Sequence, residues 1–239
     1  MNRIKIDIIQ FGESKHVDEW SFINRLKRQK KSSLFEILNI KKIALPQSDF
    51  WGYADSSLLQ LAETSDGANY TLCFIDYPLE GNFFIRRLSP TIGVATFFQT
   101  KNIFKEANVE LKNFILLQIY KIVILSKLQV GNDMDAIRTH FHDETRSCLF
   151  DMCGLKEDII MSATNPKICF DCEAKLRRTL LSTEFIDVLK SELRQIKKPL
   201  YFRITDWIKK HPVFALIITG FFALALNLLA SVIFDFIRG

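Results

Sequence analysis

Four of the five cysteines stand between residues 148 and 172, in the block CLFDMCGLKEDIIMSATNPKICFDC. Their spacing is Cys-x4-Cys, a 15-residue gap, then Cys-x2-Cys. Two short pairs on separate turns can bring four thiolates to the corners of a tetrahedron, the arrangement zinc takes in structural sites. Only a metal offsets the repulsion of four gathered thiolates, so the block reads as a zinc knuckle held by Cys148, Cys153, Cys169 and Cys172. Two disulfides, or four unrelated core thiols, are the plainer alternatives. The pattern is a strong sign of a staple and a weak one of catalysis.

A second group of donors lies just upstream, where His140, His142, Asp143 and Glu144 share a five-residue window. A helical turn would put His140 and Glu144 on one face. An extended chain would do the same for His140 and His142. Either gives two ligands, whereas a catalytic zinc needs three and an open position. Glu110, Asp133, Asp135 or Asp151 could complete such a set only through folding. The simpler reading is a polar loop in which His142 and Arg146 steady the knuckle through hydrogen bonds. The sequence carries no P-loop, Gly-x-Ser-x-Gly or dinucleotide fingerprint.

The elements that must position these residues follow from periodicity. Residues 3–11 alternate as a strand, and VDEWSFINRLKRQKK sets Trp20, Ile23 and Leu26 on one face of a helix. FEILNIKKIALP reads as a second strand, after which Asp55 or Ser56 could cap a helix through SSLLQLAET. YTLCFIDY is a buried-strand run, with Cys73 a core thiol rather than a ligand. Gly81-Asn82 would turn the chain into NFFIRRL, and TIGVATFFQT gives a further strand. A long helix is expected over residues 103–128, and its second half is apolar on nearly every face, as a central core helix would be. After the cysteines, CEAKLRRTLL looks helical. A helix capped by Ser182 or Thr183 would present Phe185, Val188, Leu189 and Leu193 on one face. PLYFRITDWIKKHP reads as a basic, aromatic connector. The fold class is α/β or α+β: a mixed sheet, a long central helix, a zinc knuckle and a C-terminal transmembrane helix.

That last helix is VFALIITGFFALALNLLASVIF, residues 213–234, with no formal charge and Asn227 as its one strongly polar side chain. At 1.5 Å per residue it spans about 33 Å, enough for a bilayer core. Arg194, Lys197, Lys198, Arg203, Lys209 and Lys210 precede it and only Arg238 follows, which by the positive-inside bias puts the N-terminal domain in the cytoplasm, with Trp207 near the interface. With five residues after Phe234, the expectation is a tail-anchored protein. MNRIKIDIIQF lacks the apolar stretch of a signal peptide, consistent with a reducing compartment in which thiolates bind metal. The expected division is a domain over 1–181, a basic juxtamembrane helix and connector over 182–211, and the span. A net charge of +5 on 239 residues, with no basic tract, disfavours nucleic acid as a partner. The expected partners are the membrane and a protein, the latter another molecule or a second copy of the chain.

The cysteine block resembles the zinc-knuckle end of archaemetzincin-type metallopeptidases. Members of that family carry Cys-x4-Cys, a somewhat longer gap, and Cys-x2-Cys followed by a short basic helix, here Lys175, Leu176 and Arg177. The resemblance implies structural zinc at Cys148, Cys153, Cys169 and Cys172, and it extends over roughly residues 70–180 through a similar order of strands and a long helix. The departures are specific. The family's catalytic helix holds HExxH, whereas NFILLQIYKIV contains no histidine. Ser147 stands where the family has its third histidine, and Leu155 where it has a methionine. The resemblance therefore implies a degenerate, metzincin-type domain without the peptidase centre, serving as sensor, adaptor or membrane effector. The alternative is a membrane-anchored zinc hydrolase using His140, His142 and Glu144.

Overall fold

The computed structural model describes residues 2–13, 16–46, 52–128 and 139–238. It divides into two compact units, residues 1–197 and 198–239. In the first, β1 (Ile4–Phe11), β2 (Phe35–Ile43), β3 (Tyr70–Ile75) and β5 (Ile92–Thr96) run parallel, and the short β4 (Ile85–Arg87) lies antiparallel at one edge. The strand order is β2-β1-β3-β5-β4. A parallel sheet needs cover on both faces, so its inner strands read as apolar runs. Every residue of β3 is buried.

Alternation along the strands divides the core in two. Ile4, Ile6 and Ile8 of β1 join Tyr70, Leu72 and Phe74 of β3 on one face. Ile9 and Phe11 join Cys73, Ile75 and Val94 on the other. The second face is covered by α2 (Asp55–Leu61) through Leu58. The first is covered by α1 (Val17–Gln29), by α3 (Thr100–Glu106) through Phe104, and by α4 (Leu111–Leu128). Helices α5 (Ile159–Thr164), α6 (Phe170–Arg177) and α7 (Thr183–Leu193) complete that layer.

Three expectations change. The long helix is two: Asn108 takes a left-handed φ of 55° between α3 and α4, and the Val109 N–H reaches back to the Phe104 carbonyl at 2.9 Å, closing α3. Neither Asp55 nor Ser56 caps α2. Its cap is Ala54, while the Asp55 carboxylate is taken by the Arg86 guanidinium, whose Nε stands 2.8 Å away. The segment 183–197 is packed as core rather than as a juxtamembrane helix. Ser182 caps α7 through the Phe185 N–H, and Phe185, Ile186, Leu189 and Leu193 are buried. Glu192 accepts hydrogen bonds from Ser32 Oγ and the Ser33 N–H, each at 2.7 Å, and from the Tyr120 hydroxyl at 2.9 Å.

The second unit holds α8 (Leu200–Lys210), where a connector was expected, and α9 (Pro212–Arg238). Residues 212–230 of α9 are long and apolar enough to cross a membrane, and none of that stretch is buried.

Candidate metal centre

The knuckle is built by main-chain bridges on one face of α4. A tight turn closes from the Asp151 N–H to the Cys148 carbonyl at 3.1 Å. The segment entering it pairs with the one leading into α6: Leu149 N–H donates to the Lys167 carbonyl at 2.8 Å, and Lys167 N–H to that of Ser147 at 2.9 Å. This pairing sets Cys148 beside Cys169. Cys169 caps α6 and Cys172 lies in its first turn, where the helix dipole favours a thiolate. A second bridge brings in the upstream loop, with Met152 N–H donating to the His142 carbonyl at 3.0 Å and His142 N–H to that of Phe150 at 3.2 Å.

These constraints converge on four donors. The ligand atoms of His142, Cys148, Cys169 and Cys172 all lie within 4.8 Å of one another. His142 Nε2 stands 3.6 Å from Cys169 Sγ. Around a tetrahedral zinc, with bonds of about 2.0–2.3 Å, neighbouring ligand atoms are about 3.5–3.8 Å apart, so this edge already has the required length. Three thiols and an imidazole are a zinc donor set, four donors being the number that a closed tetrahedral site needs.

Hydrogen bonds prepare these atoms for a cation. The Cys172 thiol and the main-chain N–H groups of Cys169 at 3.3 Å and Phe150 at 3.5 Å surround Cys148 Sγ. They hold its pKa down to about 5 against the opposing effect of burial. Cys172 is pushed up by sharing that proton with Cys148 and by burial. His142 donates from Nδ1 to the Glu144 carbonyl at 2.9 Å, which leaves Nε2 with its lone pair toward the sulfurs.

Below them lies Asp151, completely buried. Its Oδ2 accepts from the Cys148 N–H at 2.9 Å, the Arg146 N–H at 3.0 Å and Ser162 Oγ at 2.9 Å, and its Oδ1 is 3.5 Å from His142 Nδ1. Lys121 projects from α4 and donates to the Asp151 carbonyl at 3.1 Å. Burial pulls its pKa down, opposed by its electrostatic interaction with Cys153, Asp151 and Cys148. The Lys121 amine thus stands directly beneath the turn that carries Cys148 and Asp151.

The structure gathers three of the four expected cysteines with His142, and Cys153 stands outside that group. Cys153 leaves the turn with a left-handed φ of 54°, its buried thiol pointing at the Asp151 carbonyl 3.7 Å away. Burial pushes that thiol up. It is not a member of the four-donor group. Of the expected set His140, His142 and Glu144, the last two meet, His142 Nδ1 standing 3.7 Å from Glu144 Oε2. No helix carries them: His140 sits in a turn, His142 in the bridge, and Glu144 is exposed and 3.5 Å from the Arg146 guanidinium. Glu110 pairs with Lys112 at 2.6 Å. Asp133 and Asp135 lie outside the described residues. Arg146 does steady the knuckle, binding Asp171 of α6 at 2.6 Å.

The sequence offers His142 as a second-metal ligand or a hydrogen-bonding neighbour of the knuckle, and not as a member of the cysteine group, because its register against the cysteines depends on a bridge between segments. A histidine six residues before the first cysteine was the available signal. The roles of Lys121 and Asp151 had none, since each looks like an isolated charge.

The likeness is to an archaemetzincin. The crystal structure of archaemetzincin from Methanopyrus kandleri at 1.5 Å resolution matches 74% of this chain and 94% of its own, with TM-score 0.44 and 17% identity. A likeness so distant assigns no residue role and no activity here. No family model matches the sequence, and neither does any curated protein.

Proposed function

We propose that this chain is a single-pass membrane protein whose N-terminal unit is stapled by one structural zinc at His142, Cys148, Cys169 and Cys172 and does no chemistry at that ion. Zinc bound there would neutralise thiolate charge and close the loop from residue 142 to residue 172, so that its binding energy becomes folding energy. The observation that carries this reading is the four-donor set itself: with every tetrahedral corner taken by the protein, no position is left for water or substrate. The span in α9 would hold the unit at the membrane, and the basic residues ahead of it favour the cytoplasmic face. There the unit would act as a sensor, adaptor or effector by binding a protein partner, with lateral association through α9 the simplest route to an output.

Metal content tests it. The full chain, purified in detergent under reducing conditions, is expected to carry one zinc, lost in both Cys169→Ser and His142→Ala. A second metal that survives both changes and is lost in His140→Ala, accompanied by peptide hydrolysis, would overturn the non-catalytic reading. A chain with no zinc would remove the staple altogether.

A further inference from the structure

Two helices of 11 residues, α7 and α8, carry comparable apolar stripes but meet different fates. Helix α7 buries Phe185, Ile186, Leu189 and Leu193, whereas α8 buries nothing. At 100° per residue, Leu200, Tyr201, Ile204, Trp207 and Ile208 fall within an arc of about 120°. All five are exposed, from 44% for Trp207 to 72% for Tyr201. Arg203, Lys209 and Lys210 stand off that arc, and Phe202 is the apolar exception. The one carboxylate, Asp206, is bridged by Lys198 at 2.7 Å.

We propose that α8 lies along the surface of an anionic bilayer leaflet, its apolar arc sunk to the acyl boundary and its cations among the lipid headgroups. The inference rests on the reading of α9 as a membrane span. Three observations favour lipid over another occupant. The stripe is contiguous in sequence with the span, so anchoring alone would bring it to the membrane surface. The helix breaks at His211, whose ψ is 62°, and restarts at Pro212, so α8 is not a continuation of the α9 axis. The break also sets rings in series, Trp207 tilted against His211 at 5.8 Å and His211 edge-on to Phe214 at 6.4 Å, the aromatic belt expected where a chain passes from headgroup to hydrocarbon. A helix with an exposed apolar face and a basic flank is the pattern of an interfacial helix.

The test uses the full chain reconstituted in vesicles of phosphatidylcholine, alone or mixed with phosphatidylserine, containing lipid brominated near the headgroup or deep in the chain. The fluorescence difference between wild type and Trp207→Phe isolates Trp207 from the other tryptophans. In mixed vesicles this component is expected to be quenched strongly by shallow bromine and weakly by deep bromine. Ile204→Glu is expected to abolish the quenching while the protein still floats with the vesicles. Replacing Arg203, Lys209 and Lys210 with Gln together is expected to shift the balance about a hundredfold toward the lifted state in mixed vesicles, at roughly fivefold per cation, with little change on phosphatidylcholine alone. Flotation without quenching of Trp207 would overturn the proposal and leave the anchor standing; the stripe would then be covered by protein. Failure to float would remove the anchor, and this inference with it.

Discussion

Removing the imidazole of His142 should weaken zinc binding, whereas removing the thiol of Cys153 should leave it nearly unchanged. A structural zinc contributes about 10–16 kcal/mol through four donors, or roughly 2.5–4 kcal/mol for each. His142→Ala leaves a corner that water can occupy, which recovers part of that energy, so the lower end applies: about a hundredfold weaker zinc binding. Cys153→Ala removes a buried sulfur that is outside the four-donor group. It should cost about 1 kcal/mol of folding stability as a small cavity and change zinc affinity by no more than about threefold. The assay is competition for zinc against a chromophoric chelator, with the full chain in detergent and thiols kept reduced. Cobalt substitution gives an independent reading, because its charge-transfer absorption grows with the number of thiolates bound, and His142→Ala should leave that number unchanged. If instead Cys153→Ala loses a hundredfold and one thiolate's absorption while His142→Ala binds as wild type, the staple is the all-cysteine knuckle and the assignment of His142 is wrong.

Asp151→Asn places an amide against three donors that now meet a carboxylate; it should weaken zinc binding by about ten- to a hundredfold and destabilise the apo-protein by about 2–3 kcal/mol, read by chelator competition and by thermal melts with and without EDTA. Glu192→Ala strands Ser32, Ser33 and Tyr120 and should cost about 3 kcal/mol in urea unfolding, whereas a helix outside the core would lose almost nothing. Glu173 is held below the ordinary carboxylate range by hydrogen bonds from Lys190 and then Arg177. Its contribution is therefore present above pH of about 4.3 and fades as the pH falls through its depressed pKa in the folded state. Glu173→Gln should cost up to about 1 kcal/mol at neutral pH and nothing in acid, and a cost that persists in acid would refute the ion-pair account.

Much of the scaffold was legible in the chain. Alternation in IKIDIIQF and the continuous apolar run YTLCFI specify strands, because a strand buried on one or both faces leaves that signature at a spacing of two. The apolar sides of FILLQIYKIVIL mark a helix with core all round it. Ser182 announces α7, since an N-cap is a local hydrogen bond made within three residues. The stretch 213–234 declares itself through length and absence of charge. The block of cysteines was likewise visible as a metal site, for spacing alone limits which sulfurs can meet.

What folding decided was membership. Whether Cys153 or His142 completes the tetrahedron depends on the pairing of residue 142 with residue 151 and of residue 148 with residue 167, contacts that no local pattern encodes. The same holds for α7 and α8. Both are short amphipathic helices, and the first is held in the core by its buried Phe185, Ile186, Leu189 and Leu193 and by the Glu192 network with Ser32 and Tyr120, distant in sequence, while the apolar side chains of the second are exposed. Local periodicity fixes which face of an element is apolar, and long-range hydrogen bonding and packing select what that face meets.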